Sequence, residues 1–346
     1  MFNFIFKFGV TMGALLAAAV VAVLGVGAFW MQPPTTATQD VTFVVPSGAG
    51  LRTVAADLEA AELINSADQI ILLARMQGVS GAVKAGEFVI PARATPADIL
   101  DILVRGKAVL RQVTLPEGIT LSAALDRLLA APGLTGDLVR LPDEGRILPD
   151  TYAYQLNDNR QAVLDRMVAA MDRALEEAWA ARSDRTMVQT PEEALILASI
   201  IEKETARADE RGLVASVYSN RLRQGMRLQA DPTLVYFLSQ GTGRLGRGLR
   251  RSELDDASNP YNTYQRDGLP PGPIANPGRE SIDAALNPAV TDFLFFVAGC
   301  DGKTAFAATY AEHQVNVAAW RACEHLRFGP VVPKPRPTDG IPPAQQ

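Results

Sequence analysis

Of the soft metal ligands, cysteine and histidine, the 346-residue chain has only two each: Cys300, Cys323, His313 and His325. None stands in a paired ligand spacing, so neither a metal centre nor a metal cofactor is expected. Whether the two cysteines pair is not decided by sequence, because pairing depends on their separation in space. Excess positive charge is also lacking: 33 Lys and Arg face 38 Asp and Glu, for a net charge of −5. Without a basic footprint, a nucleic-acid partner is excluded. No solenoid-type repeat is found.

Charge of either sign is missing between Lys7 and Asp40, and Phe8 to Met31 is dominated by Ala, Val, Leu and Gly. A run of this length matches a hydrocarbon core of roughly 30 Å and reads as a transmembrane helix. Trp30 near its end suits the interface, and Lys7 places the short N-terminal side in the cytoplasm. The rival, a cleavable signal peptide, has an apolar region of only about 7–15 residues and a small-residue cleavage site. Ala28-Phe29-Trp30 is a poor site of that kind.

The chain divides by composition into five segments. Residues 1–31 form the cytoplasmic start and anchor, and 32–40, with Pro33-Pro34, a linker. Residues 41–107 form a small domain. In it, Val41 to Val45 reads as a strand, and Leu51, Val54, Ala55 and Leu58 recur at helical spacing. A second helix starts at Ser66 and stops at Gly78; Gly86 to Ile90 is a strand; Thr95-Pro96 starts a third helix ending at Gly106. The domain 108–328 is mixed, with helices expected near 121–130, 160–181 and from Pro191 to about Ala208, and a helical end at Gly225. The Pro-rich tail, 329–346, cannot pack and is expected to be disordered. The fold class is α+β: a transmembrane helix, a small βααβ domain and a mixed α/β domain.

The most informative segment runs from Thr190 to Thr205. Thr190 and Glu193 form a capping-box pattern, and Pro191 occupies the first helical position. Ala194 to Ile201 is apolar except for Ser199, and a helix apolar on every side belongs in a core. Two carboxylates, Glu202 and Glu204, end this run. Being two residues apart, they project about 200° from one another and cannot face the same cleft. Glu202 follows a row of small residues, Ala198 and Ser199, which leaves room beside it. Burial disfavours the ionised form of a carboxyl group, and a neutral carboxyl can donate a proton to a glycosidic oxygen. The alternative is that Glu-Lys-Glu marks the point where the helix meets solvent.

Two further clusters carry sugar-binding chemistry. Asn220, Arg221, Gln229 and Asp231 gather amide, guanidinium and carboxylate groups suited to hydroxyls and N-acetyl groups. Tyr261, Asn262 and Tyr264 precede a Pro/Gly-dense stretch, Gly268 to Gly278, that reads as a rigid binding loop. The tyrosines suit stacking on pyranose faces, and Asn262 suits orientation of an amide, although partial burial would account for each tyrosine equally well.

Together, Leu197-Ala-Ser-Ile-Ile-Glu-Lys-Glu-Thr205, Asn220-Arg-Leu, Met226-Arg-Leu-Gln-Ala-Asp-Pro-Thr233, Tyr261-Asn-Thr-Tyr264 and Gly268-Leu-Pro-Pro-Gly272 closely resemble the MltG/YceG-like endolytic murein transglycosylases. Pro116-Glu-Gly118 and Glu144-Gly-Arg-Ile-Leu-Pro-Asp-Thr-Tyr152 look like segments of the same family, and the small domain is similar to LysM. Arg146 departs from the aromatic or aliphatic residue expected there. The resemblance implies a non-hydrolytic cut within peptidoglycan strands, at the β-1,4 bond between N-acetylmuramic acid (MurNAc) and N-acetylglucosamine (GlcNAc). Such a cut leaves 1,6-anhydro-MurNAc ends and terminates strand elongation. It maps the catalytic acid and base onto Glu202, with Glu204, Asn220, Arg221, Gln229, Asp231, Tyr261, Asn262 and Tyr264 toward the substrate. It needs no cofactor, and it implies cell-wall synthases as partners and a single-pass inner-membrane protein with its catalytic domain in the periplasm. Two other readings stay open: a muramidase-type hydrolase in which Asp231 or Glu204 activates water, and a non-catalytic membrane-anchored wall-binding scaffold.

Overall fold

A computed structural model describes residues 12–13, 15–21, 23–25, 27 and 38–328. The Pro-rich tail and most of the linker lie outside the described residues. The membrane-spanning helix expected over Phe8 to Met31 is not borne out: among the described residues, no helix is long and apolar enough to cross a membrane. Residues 8–11, 14, 22, 26 and 28–31 of that run lie outside the described residues. The membrane partner, the single-pass inner-membrane location and the periplasmic placement drawn from the expected helix fall with it. The rest of the chain is α+β and divides into two compact units.

The first unit takes residues up to Val113 together with 131–136 and 153–159. Its strands β1 (Val41–Val45) and β2 (Gly86–Ile90) pair antiparallel, Val41 opposite Ile90 and Val45 opposite Gly86. Alternation along β1 turns Phe43 and Val45 inward, and β2 adds Phe88 and Ile90. Helices α1 (Leu51–Ala60), α2 (Ala67–Met76) and α3 (Pro96–Arg105) close over this face with Val54, Leu58, Ile70, Ile99 and Leu103. At α3 the Thr95 side chain accepts from the Asp98 N–H, Asp98 accepts from the Thr95 N–H, and Pro96 starts the helix. Glu87, buried in β2, is held by the Arg111 guanidinium at 3.0 Å. A second two-stranded sheet joins β3 (Arg111–Thr114) to β4 (Thr151–Tyr154).

The second unit comprises 114–130, 137–152 and the residues from Arg160 onward. Its elements are α4 (Leu121–Leu129), α5 (Arg160–Ala180), α6 (Pro191–Glu204), α7 (Ala208–Arg223), α8 (Asp231–Leu238), the short α9 (Arg251–Leu254), α10 (Arg279–Leu286), β5 (Phe295–Ala298), β6 (Thr304–Ala307) and α11 (Tyr310–Phe328). Helix α6 is the central element, with Ala194, Leu195 and all residues from Leu197 to Ile201 buried. Met171 and Leu175 of α5, Val214 and Tyr218 of α7, and Ile282 and Leu286 of α10 surround it. Each buried Leu or Ile of this helix stabilises the unit by about 1.5–3 kcal/mol.

The start of α6 follows the sequence pattern only in part. Thr190 accepts from the Glu193 N–H, but Glu193 reaches the Gln189 N–H instead of closing a reciprocal box. The helix also stops at Glu204, short of Ala208. There Thr205 turns extended, its hydroxyl accepting from the Arg207 N–H and donating to the buried Glu210. Strands β5 and β6 pair antiparallel, Phe295 opposite Ala307, and Cys300 is bonded to Cys323 of α11 across 5.9 Å between their Cα atoms.

Candidate active site

The C-terminal turn of α6 sends its two glutamates into different surroundings, as their spacing requires. The Glu202 side chain is only 5% exposed. Its Oε2 accepts from the main-chain N–H of Gly278 at 2.9 Å, and its Oε1 lies 3.6 Å from Nη2 of Arg211. Gly278 caps α10, so the carboxylate sits at a helix N-terminus, where the aligned peptide dipoles favour negative charge.

Arg211 is itself buried on α7 and collects three carboxylates. It meets Glu117 at 3.0 Å, Glu202 at 3.6 Å, and Glu280 through a close ion pair. Three acidic groups around one guanidinium leave a local excess of negative charge. Glu117 registers this: burial and then the neighbouring Glu202 charge push its carboxyl up, and Arg211 only partly offsets them.

Gly118 adopts a left-handed φ of +69°, a Cβ added there would meet the Glu202 side chain at 3.4 Å, and its carbonyl accepts from Lys203 Nζ at 3.2 Å. The loop 116–120 and the end of α6 thus hold one another. Behind them, fully buried Asn276 donates to the Ile119 carbonyl and to Glu144, and its side-chain oxygen accepts from the Ile147 N–H. Ser199, the polar residue within the apolar run, accepts from the Ile274 N–H at 3.0 Å and so fixes the Pro/Gly-dense loop to the core helix.

Three adjoining cavities run past this point. The largest, about 410 Å³, is lined by Glu144, Arg146, Glu192, Tyr236, Tyr261 and Pro271 among others. Tyr236 also borders a cavity of about 180 Å³ with Asp231 and Lys203. Lys203 and Gly243 in turn border a third, about 250 Å³, with Glu117 and Gly118. The first and second share Tyr236 and the second and third share Lys203 and Gly243, so the three lie side by side as a groove bordered by common residues. Glu144 in the first cavity is pushed up to about 7 by burial, against hydrogen bonds from Leu121, Gly145 and Tyr236. Arg146, the departure from the family segment, pairs with Glu192 at 3.2 Å.

Glu204 belongs to a different set. It accepts from the Tyr218 hydroxyl at 2.7 Å and is pushed up to about 7 by burial. Tyr264 donates to Asp231 at 2.5 Å. Arg221, whose own ionisation burial opposes, lies within electrostatic reach of Glu204, Tyr218 and Tyr264.

The remaining anticipated residues are divided between core and groove. Asn220 donates to the carbonyls of Thr291 and Phe293, and Arg221 to those of Leu294 and Leu228. Asn262, fully buried, donates to the carbonyls of Glu253, Leu254 and Asp256. These three side chains therefore point into the fold. Gln229 is exposed, in a left-handed turn at φ +51°, with its N–H bonded to Thr263. Tyr261 lines the largest cavity against Tyr236 and Phe237, and Asp231 lines the middle one.

Glu117, Arg211, Gly278 and Glu280 are the partners of Glu202 that sequence reasoning missed. Glu117 lies in a motif already singled out, Pro116-Glu-Gly118, whereas nothing in the local sequence distinguishes Arg211 from other arginines. Among the described residues, no group of three or more His, Cys, Asp or Glu is arranged to hold a metal ion.

Comparison with known proteins adds an independent line. The model of the YceG-like family matches residues 43–319. An endolytic murein transglycosylase of Streptococcus pneumoniae serotype 2 is 28% identical over 329 residues, covering 80% of this chain and 58% of the relative. One from Bacillus subtilis is 35% identical over 175 residues, covering 51% of this chain and 47% of the relative. The chain thus spans about half the length of these curated relatives. The crystal structure of a YceG-like protein from Listeria monocytogenes is 28% identical, with a TM-score of 0.50, covering 80% of this chain and 99% of that one.

Proposed function

Because the chain belongs to the YceG-like family, we propose that it is an endolytic peptidoglycan lytic transglycosylase with Glu202 as its acid and base. The observation that carries this reading is the setting of the Glu202 carboxyl, held between the Gly278 N–H and the Arg211 guanidinium beside the elongated groove.

In the first half of the reaction Glu202 gives its proton to the oxygen linking MurNAc C1 to GlcNAc, and that C1–O bond breaks. The carboxylate so formed takes the proton of the C6 hydroxyl as O6 bonds to C1, closing the 1,6-anhydro ring. One proton leaves the residue and one returns, and no water is consumed. Gly278 and Arg211 stabilise the carboxylate between these steps. A cut of this kind within a growing strand ends its elongation.

A hydrolytic second reading draws on one observation. Glu117 shares Arg211 with Glu202, which makes it a nearer candidate to activate water than Asp231 or Glu204. Mass analysis of fragments released from purified peptidoglycan separates the two. Anhydro-muramyl ends support the transglycosylase, and reducing muramyl ends bearing one added water support the hydrolase. Glu202→Gln is expected to slow release by about 100-fold or more; release at the parent rate would falsify the role of Glu202.

A further inference from the structure

We propose that the cavity lined by Glu117, Thr120, Arg127, Lys203 and Arg244 is a subsite for a carboxylate carried on the muramyl side of the strand. The inference rests on the function proposed above and names a recognition element of the same site.

The cavity, about 250 Å³, presents three cations, Arg127, Lys203 and Arg244, against the single carboxylate of Glu117. That balance runs against a chain whose net charge is −5. Lys203 directly follows Glu202, and its Nζ is fixed by the Gly118 carbonyl at 3.2 Å. Gly118 also packs against the Glu202 side chain. A group bound here is therefore held by the residues that position the acid. Arg127 is anchored through the Thr114 carbonyl at 3.0 Å, while Arg244 forms no ion pair among the described residues and stays available to a ligand.

At the far end of the groove the sign reverses. Asp143, Glu144 and Glu192 line the largest cavity with only Arg146, which Glu192 already pairs. A groove basic at one end and acidic at the other favours a carboxylate of the strand at the basic end. In peptidoglycan only the muramyl residue bears an acid: its lactyl carboxyl, free in a peptide-free strand, or the carboxylates of the side peptide linked to it. N-acetylglucosamine carries no charge, so a carboxylate pocket beside Glu202 distinguishes the two sugars and places the bond to be cut.

The test uses the full chain with peptide-bearing and peptide-free strands, each with its carboxylates intact or methyl-esterified. Esterification is expected to raise KM about 10-fold or more, the scale of one charge-assisted hydrogen bond, with kcat little changed. Arg244→Glu reproduces the rise on intact strands and adds nothing on esterified ones. An effect retained on peptide-free strands assigns the lactyl carboxylate, and one confined to peptide-bearing strands assigns the peptide. Binding of the same four strands to Glu202→Gln reads the subsite without cleavage. Equal affinity for intact and esterified strands overturns the proposal, as does an Arg244→Glu loss that ignores esterification. If charge-dependent binding persists while the parent chain makes no cut, the failure lies with the function and not with the subsite.

Discussion

The main-chain N–H of Gly278 holds Glu202 at 2.9 Å, and the Glu117 side chain lies so close to Gly278 that it would have to swing aside to admit a Cβ. The glycine is needed for this approach and not for its backbone conformation, since its φ is an ordinary −75°. One small residue thus touches both the proposed acid and Glu117.

Gly278→Ala therefore tests steric fit alone. We expect strand cleavage to fall about tenfold or more as Glu202 loses its alignment, with a stability cost of about 1–3 kcal/mol from overpacking. Adding Glu117→Ala relieves the collision and restores the melting temperature of the single variant. Parent-like cleavage by Gly278→Ala would show that the contact does not position Glu202.

Ser199→Ala removes the acceptor of the buried Ile274 N–H. An unsatisfied buried donor costs about 1–3 kcal/mol. Chemical denaturation should show that loss with an unchanged slope, and hydrogen exchange at Ile274 should quicken. Unaltered exchange would mean that the Pro/Gly-dense loop is held by its other contacts.

Stability should depend on pH through Glu204. Burial raises its carboxyl from 4.5 to about 7, so between these values the folded chain binds more protons than the unfolded one. The stabilising contribution is complete below about 4.5 and is lost as pH rises through about 7. Melting temperatures measured from pH 4.5 to 8 should fall more steeply for the parent chain than for Glu204→Gln. Parallel curves would remove Glu204 as the source; Glu144, also raised to about 7, is the control carboxyl in the same measurement.

The Cys300–Cys323 bond closes a loop with a sequence separation of 23 residues. Loop-closure entropy assigns it about 3 kcal/mol. Reductant should lower the melting temperature of the parent and leave Cys300→Ser unaffected; a parent insensitive to reductant would place the stability of this region elsewhere.

The α6 core helix was legible because its evidence is local: a threonine cap, a proline at the first turn and an apolar run continuous enough to fix burial on every side. The divergence of Glu202 and Glu204 was legible for the same reason, since helical geometry alone sets it. The halt at Glu204 was not, because it turns on Thr205 meeting Glu210 in the next helix. Asn220 and Asn262 have the chemistry of sugar-binding amides, yet their donors go to main-chain carbonyls of loops distant from them in sequence or turned back on them. Residue type states what a side chain can bond, and only packing decides which partner arrives first.

By itself, then, the sequence determined the α+β class, the buried helix, the divergence of the two carboxylates at its end, and the family resemblance. It misjudged the apolar N-terminal run: among the described residues no helix is long and apolar enough to cross a bilayer. The tertiary structure alone decided what surrounds Glu202. Glu117, Arg211, Gly278 and Glu280 come from separate parts of the chain, 94 residues lying between Glu117 and Arg211 in numbering and 76 between Glu202 and Gly278. Their convergence depends on how α6, α7, α10 and the loop 116–120 pack, and no periodicity or local motif encodes contacts made across such distances.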